Sequence, residues 1–526
     1  MKVLRQPPKP VKRDALDEAL AQVDDVKPAV VAKAKPAAAP TPTSFGGKPT
    51  EQPQVIARAD MPVASSNLGW SVDEKPARLG VTADDEKRIG EATKAWAALT
   101  PKALADGRAA VSQVLGGQRT AGSSQTTLEK LGASGLTKEQ QALVLDTLSL
   151  ASSYYDRVAA STDDPVAKAT QAANKTHLFG EVDQLCDAAR ALKLSPKDLS
   201  LAMLSATYSD MVKIGGRLKM GPDDQLASMK SLMNHDLAGA AAAEAFMAKD
   251  PRLSKADRAA VVDGIRAHQY TPPAFFANML GVTARFSMKL AGYTPTPADE
   301  QTLASLKQKV ASPYEHLMPG TNRVAFSTDE KKLMRDWVGR EDWVVPNDPA
   351  QHAVAGADVL DNYGSPGGML KYPRFRGPGT TFQDGTLKDS LGTVYPKFDA
   401  TGQPVFDKAA YAGPPHGGNL PSCVDAYWQL PEALRPVVAE KLVAARTVMT
   451  DAFKRMESTL RAQGHDPAQV PFWGKPLTPA DYADLQRMQS DPPRAPGRLA
   501  ELKLAVEVKE LFIAEARKAI EATGAP

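Results

Sequence analysis

Cysteine is nearly absent: Cys186 and Cys423 are the only two in 526 residues, and neither belongs to a CxxC pair. That excludes a disulfide framework and a thiolate zinc site, and it suits a reducing compartment. Cys186 falls within an amphipathic helical pattern and reads as a small core residue rather than a nucleophile. Aromatic residues make up 6% of the chain, which favours an Ala- and Leu-rich helical protein over a β-sandwich. A dominant charge is lacking too. The 64 Lys and Arg against 61 Asp and Glu leave a formal +3, so no whole-chain field draws in nucleic acid, and none is indicated as a partner. No apolar run reaches the roughly 18 residues that a membrane span needs, and the polar, basic N-terminus carries no signal-peptide core. A cytoplasmic protein with no membrane partner is the expectation.

What the sequence does contain is helical periodicity. Residues 1–75 are rich in Pro, Ala and Lys, as in Lys33-Ala34-Lys35-Pro36. They are too poor in large apolar residues to bury a core, which predicts a disordered tail open to a protein partner. From Thr82 the pattern turns helical, with Ile89, Ala92, Ala95 and Trp96 at steps of three and four. Residues 117–135 read as a loop, and Leu136-Thr137-Lys138-Glu139 starts the next helix. Leu178, Val182, Leu185, Ala189 and Leu192 recur on one face after His177. Ser195-Pro196-Lys197-Asp198 is a helix start with Ser as cap and Pro in the first turn. A third central helix is expected over 224–248, where the small residues Gly239–Ala243 permit close packing, and Ser254-Lys255-Ala256-Asp257 caps a fourth. Residues 365–419 are rich in Gly, Pro, Lys and Asp; such long irregular stretches tend to be functional. Helices return after Leu420, the last over about 498–523. The fold class predicted is all-α, divided into the tail (1–75), an N-terminal helical segment (76–170), a central core with an irregular loop (171–400) and a C-terminal helical segment (401–526).

His177, Asp210, His235 and His268 fall on four successive predicted helices, each able to face one interior. Imidazole and carboxylate together hold Zn, Fe, Mn or Ni while leaving positions for water and phosphate, and bundles build metal sites from such inward-facing side chains. A histidine on an apolar face is more often a hydrogen-bonded core residue, and spacing alone favours that reading over a ligand set. His316, His352, His416 and His465 sit in or near loops and are expected at the surface.

Ser209-Asp210-Met211-Val212-Lys213-Ile214 resembles the His-Asp doublet motif of the HD-domain superfamily of metal-dependent phosphohydrolases. The order His177, Ser209-Asp210, His235 and then His268 is similar to that family's order of motifs, and Ala357-Asp358-Val359-Leu360-Asp361 resembles its late Ala-Asp motif. The resemblance covers roughly residues 170–375. It implies an HD-like helical core, a divalent metal (Mn, Fe, Zn or Ni) held by His177, Asp210, His235, His268 and Asp358, and hydrolysis of a nucleotide or related phosphate ester. Asp210 would be the central ligand. Lys213 would neutralise phosphate charge; Lys371, Arg374 and Arg376 of the irregular stretch read first as an ordinary solvated basic loop and, as the alternative, as further phosphate contacts. The chain departs from the pattern twice: Ser209 stands where the doublet has its histidine, and Gln269 where two-metal members carry another. The alternative those departures imply is a catalytically weakened HD-like domain that binds a ligand or a protein.

Overall fold

The computed structural model describes residues 83–466, excepting 162–164, 213–221, 249, 270–271, 365–380, 384–385, 389–395 and 413–419, together with a few positions between 511 and 519. The N-terminal tail, Lys213, Lys371, Arg374, Arg376 and most of the final predicted helix therefore lie outside the described residues.

The chain is all-α. Helices α1 (Ala83–Ala97), α2 (Pro101–Gly117), α3 (Thr127–Gly132) and α4 (Lys138–Ala160) lead into α5 (Pro165–Leu192), α6 (Pro196–Ser209), α7 (Pro222–Met247) and α8 (Lys255–His268). Then come α9 (Pro273–Leu290), α10 (Pro297–Ala311), α11 (Thr328–Trp337) and α12 (Pro349–Val359), and after a long connection α13 (Ser422–Gln429) and α14 (Arg435–Ala462). Extended pairing among the described residues amounts to a ribbon of β1 (Thr381–Gln383) against antiparallel β2 (Thr386–Lys388) and three isolated bridges.

The helices start where the sequence offers caps. Ser195 accepts a hydrogen bond from the Asp198 N–H ahead of Pro196. Thr137 with Gln140, and Ser254 with Asp257, form reciprocal capping boxes for α4 and α8; each such cap contributes about 1 kcal/mol. The stretch 117–135, read from sequence as loop, holds the short α3, started by a further capping box of Thr126 and Glu129. His352, expected at the surface, lies instead on α12, where it is partly buried. The reason is that α12 is central: it packs against α5, α6 and α8.

Helix α6 is enclosed by α4, α5, α7, α8 and α12, and its residues Leu199 to Ser209 are all buried. Its C-terminus meets α7 at Gly239, where a Cβ would come within 2.6 Å of the Ser209 carbonyl oxygen and 2.8 Å of that of Tyr208. The small-residue run therefore lets two backbones touch. One apolar cluster runs from Ile89 through α4–α8 and α12 to Ala445 on α14. A second joins α9, α10 and α11 around Trp343 and Val345. Helix α7 contributes Met233 to the second and Ala238 to the first, and α12 contributes Ala355 to the second and Val354 to the first. Those two helices thus carry the seam between the clusters.

Candidate metal centre

Five of the sequence-derived candidates meet in the interior. His177 lies in the middle of α5, Asp210 directly follows α6, His235 is midway along α7, His268 ends α8, and Asp358 is near the end of α12. Asp210 is 4% exposed, and the three histidines are 3% exposed or less. Asp210 sits between the histidines and splits its carboxylate between them: Oδ2 lies 3.5 Å from His177 Nε2 and Oδ1 lies 3.5 Å from His235 Nε2.

On one side of Asp210, His235 Nδ1 lies 2.7 Å from the Leu232 carbonyl oxygen and His268 Nδ1 lies 2.5 Å from that of Ile265. A carbonyl only accepts, so both Nδ1 atoms carry the proton. Both Nε2 atoms are then lone-pair nitrogens, and they face each other at 3.0 Å. Two lone pairs at that distance repel unless a proton or a cation lies between them. Imidazole nitrogens about 2.0–2.1 Å from one ion, at a right angle, sit roughly 2.9 Å apart, so the pair matches a shared metal. With Asp210 they form two imidazoles and one carboxylate, a set that leaves coordination positions open. One donor atom from each of Asp210, His235 and His268 falls within 4.8 Å of the others.

On the other side, His177 is held between acids. Its Nδ1 is 2.5 Å from Asp361 Oδ2, and its Nε2 is 3.1 Å from Asp358 Oδ1 and 3.1 Å from Glu181 Oε1. Asp361 fixes the proton on Nδ1 and turns the Nε2 lone pair towards the carboxylates, the arrangement by which outer-shell acids orient ligating histidines. Asp358 and Asp361 flank the ring from one helix end, which widens into a π turn over Leu360–Gly364; such bulges recur at functional sites. Asn362 Nδ2 donates to Asp358 Oδ1 at 2.6 Å. His177, Glu181 and Asp358 form a second group whose donor atoms converge within 4.8 Å.

A charged frame fixes the spacing of α7 and α8. Asp236, beside His235, is 3.1 Å from Arg340 Nη2 and 3.3 Å from Arg266 Nε, and Arg266 reaches Asp342 at 2.6 Å. Burial pushes the Asp236 carboxyl up, but Arg340 and Arg266 outweigh it and hold it below the usual range. Arg340 also stacks over Trp343, its guanidinium 4.1 Å from the ring centroid.

Sequence reasoning missed Glu181, Asp361 and Tyr155. Glu181 stands four residues after His177, one turn along the same face, and that spacing was the available signal. Burial pushes the Glu181 carboxyl up, His177 pulls it down, and Asp358 and Asp210 push it up again, leaving it above the usual range. Tyr155 on α4 is 1% exposed, and its hydroxyl has no hydrogen-bond partner among the described residues. Burial, reinforced by the charges of Asp210 and Glu181, holds it firmly as the neutral phenol. Ser209, by contrast, turns away: its Oγ donates to the Ala206 carbonyl at 2.8 Å. Gln269 is buried, and its Nε2 donates to Leu232 O at 2.5 Å.

Compared with family models, with curated proteins and with solved structures, the chain finds no match in any of the three. The geometry of the centre is therefore the ground on which a function is argued.

Proposed function

We propose that the chain is a divalent-metal-dependent hydrolase of a phosphate ester, of the HD type that its motif order resembles. The observation that carries this is the pair of lone-pair nitrogens of His235 and His268, 3.0 Å apart beside Asp210. A pair of neutral core histidines would be expected to place a donor opposite an acceptor, whereas here both Nδ1 donors are spent on backbone carbonyls. The donor set, imidazole with carboxylate, suits Mn, Fe, Zn or Ni.

In this reading His235, His268 and one oxygen of Asp210 would hold one ion, and His177, Asp358 and the other oxygen of Asp210 would hold a second. A bound divalent ion supplies a water acidified to near neutrality and a cation for the phosphate oxygens. Asp361 keeps the His177 lone pair aimed inward, and Asn362 fixes the Asp358 carboxylate. Tyr155, held neutral beside the carboxylates, offers a hydroxyl donor to a phosphate oxygen. The surrounding helices exclude bulk water, which strengthens each of these interactions. Lys213, Lys371, Arg374 and Arg376 remain the cations proposed to hold the substrate's phosphate, a nucleotide or related ester.

The second reading, an HD-like domain that binds a ligand or protein without turnover, is favoured by Ser209. Its hydroxyl is committed to the Ala206 carbonyl and so replaces nothing of the doublet histidine's function. Metal content of the purified full-length protein, compared with Asp210→Ala by elemental mass spectrometry and followed by a screen of phosphate esters, separates the two. One or two ions lost in the variant, with turnover in the wild type, support the hydrolase. A wild type that stays empty when supplied with Mn²⁺, Fe²⁺ or Zn²⁺ overturns it.

A further inference from the structure

We propose that Glu181 is itself a metal ligand, replacing the imidazole that the doublet lacks at Ser209, and that it makes the two ion positions chemically unlike. The proposal rests on the metal centre of the preceding reading and assigns it a ligand and an ion preference.

Glu181 is 2% exposed, and its Oε1 lies 3.1 Å from His177 Nε2. Its other oxygen, Oε2, is buried and accepts no hydrogen bond among the described residues. A buried carboxylate oxygen without a partner loses its hydration with nothing in return. A proton shared between Oε1 and Nε2 would satisfy that pair alone. It would leave Oε2 bare and would leave Asp358 Oδ1 and Asp210 Oδ2 beside the same nitrogen at 3.1 and 3.5 Å. A cation among these oxygens gives Oε2 a partner and offsets the negative charge of three carboxylates gathered at one nitrogen. Ser209 cannot serve, because its hydroxyl bonds within its own helix.

The donor sets then differ. The position beside His177 has one nitrogen and three carboxylates, from Glu181, Asp358 and Asp210. The position beside His235 has two nitrogens and the other oxygen of Asp210. Oxygen-rich sites suit Mn²⁺ and Mg²⁺, whereas imidazole suits Zn²⁺ and Fe²⁺. The first position is thus the manganese site and the second the zinc or iron site. A family histidine at position 209 would have given the first position two nitrogens as well and made the two more alike.

The test is to strip full-length protein of metal, equilibrate it with equal Mn²⁺ and Zn²⁺, and count ions by elemental mass spectrometry, with the manganese electron paramagnetic resonance signal as a second readout. Wild type is expected to hold one of each. Glu181→Gln, nearly isosteric, should lose manganese affinity by more than about 100-fold, beyond the 10–100-fold typical of an outer-shell partner, and should keep its zinc, which also shows that it is folded. Glu181→His should exchange the manganese for a second zinc. A Glu181→Gln protein that binds manganese as wild type does, or that weakens both ions in parallel, overturns the assignment of Glu181 and leaves the hydrolase reading standing. A wild type that takes up neither ion overturns both.

Discussion

The carboxylate of Asp361 occupies the space that any side chain at position 180 would need. A Cβ on Gly180 would overlap Asp361 Oδ1, while the opposite oxygen, Oδ2, holds His177 Nδ1 at 2.5 Å. Gly180 therefore shapes the candidate metal centre without lining it: it lets the π turn after α12 approach α5 closely enough for the acid to orient the imidazole. In Gly180→Ala the gain in helix propensity, roughly 1 kcal/mol, opposes the cost of moving Asp361, so thermal stability should change little. Metal affinity should fall about 10–100-fold, as on loss of an outer-shell partner. Calorimetric metal titration beside a melting curve checks both; parallel loss of stability and affinity would refute this separation.

Gly239 presents a harder obstacle, because what a Cβ would meet is backbone. The carbonyl oxygens of Ser209 and Tyr208 cannot rotate away, so Gly239→Ala must part α6 from α7. Overpacking of this kind costs about 1–3 kcal/mol, and Asp210 would move with the end of α6. Urea denaturation should show the loss of stability, and metal content should fall with it.

A buried ionic cluster further along α5 ties α3 and α14 to that helix. Lys130, 3% exposed, lies 2.9 Å from Asp183 and 2.8 Å from Asp187, and Lys441 lies 2.7 Å from Asp187. Thr120 and Thr127 donate to the two oxygens of Asp183, each at 2.9 Å. Burial pushes the Lys130 ammonium down, yet Asp183 and Asp187 outweigh it and hold it above its ordinary value. Removing one partner leaves charge uncompensated, so Lys130→Met should destabilise by about 3–5 kcal/mol. Chemical denaturation measures it, and a change below about 1 kcal/mol would mean that the pair behaves as a surface salt bridge.

His352 sets a pH dependence. Burial pushes its pKa from 6.5 down to about 4. Between those values the unfolded chain binds a proton that the folded protein does not, so stability rises with pH across the window. The contribution is full above pH 6.5 and is lost as pH falls towards about 4. Relative to wild type, His352→Gln should show a smaller drop in melting temperature over that interval; identical pH profiles would exclude His352 as the source.

Local sequence determined the helices. Caps such as Ser195 and Ser254, and apolar residues at steps of three and four, act through neighbours a turn away, so they are legible in a linear reading. The same patterning placed His177, Asp210, His235 and His268 on inward faces, the motif resemblance added Asp358, and the structure brings those five side chains together. Other features depended on contacts between distant segments. Glu181 reads in sequence as one acid in an amphipathic helix, and it becomes part of the site only because Asp210 and Asp358 arrive from other helices. Asp361 reads as the end of a helix, and only the gap at Gly180 turns it towards His177. The surface position expected for His352 failed for the same reason, since the central place of α12 is set by α5, α6 and α8 together. Sequence by itself determined which faces would be buried, because periodicity is local. Tertiary structure decided which buried polar atoms face one another, because that depends on how closely two helix backbones approach.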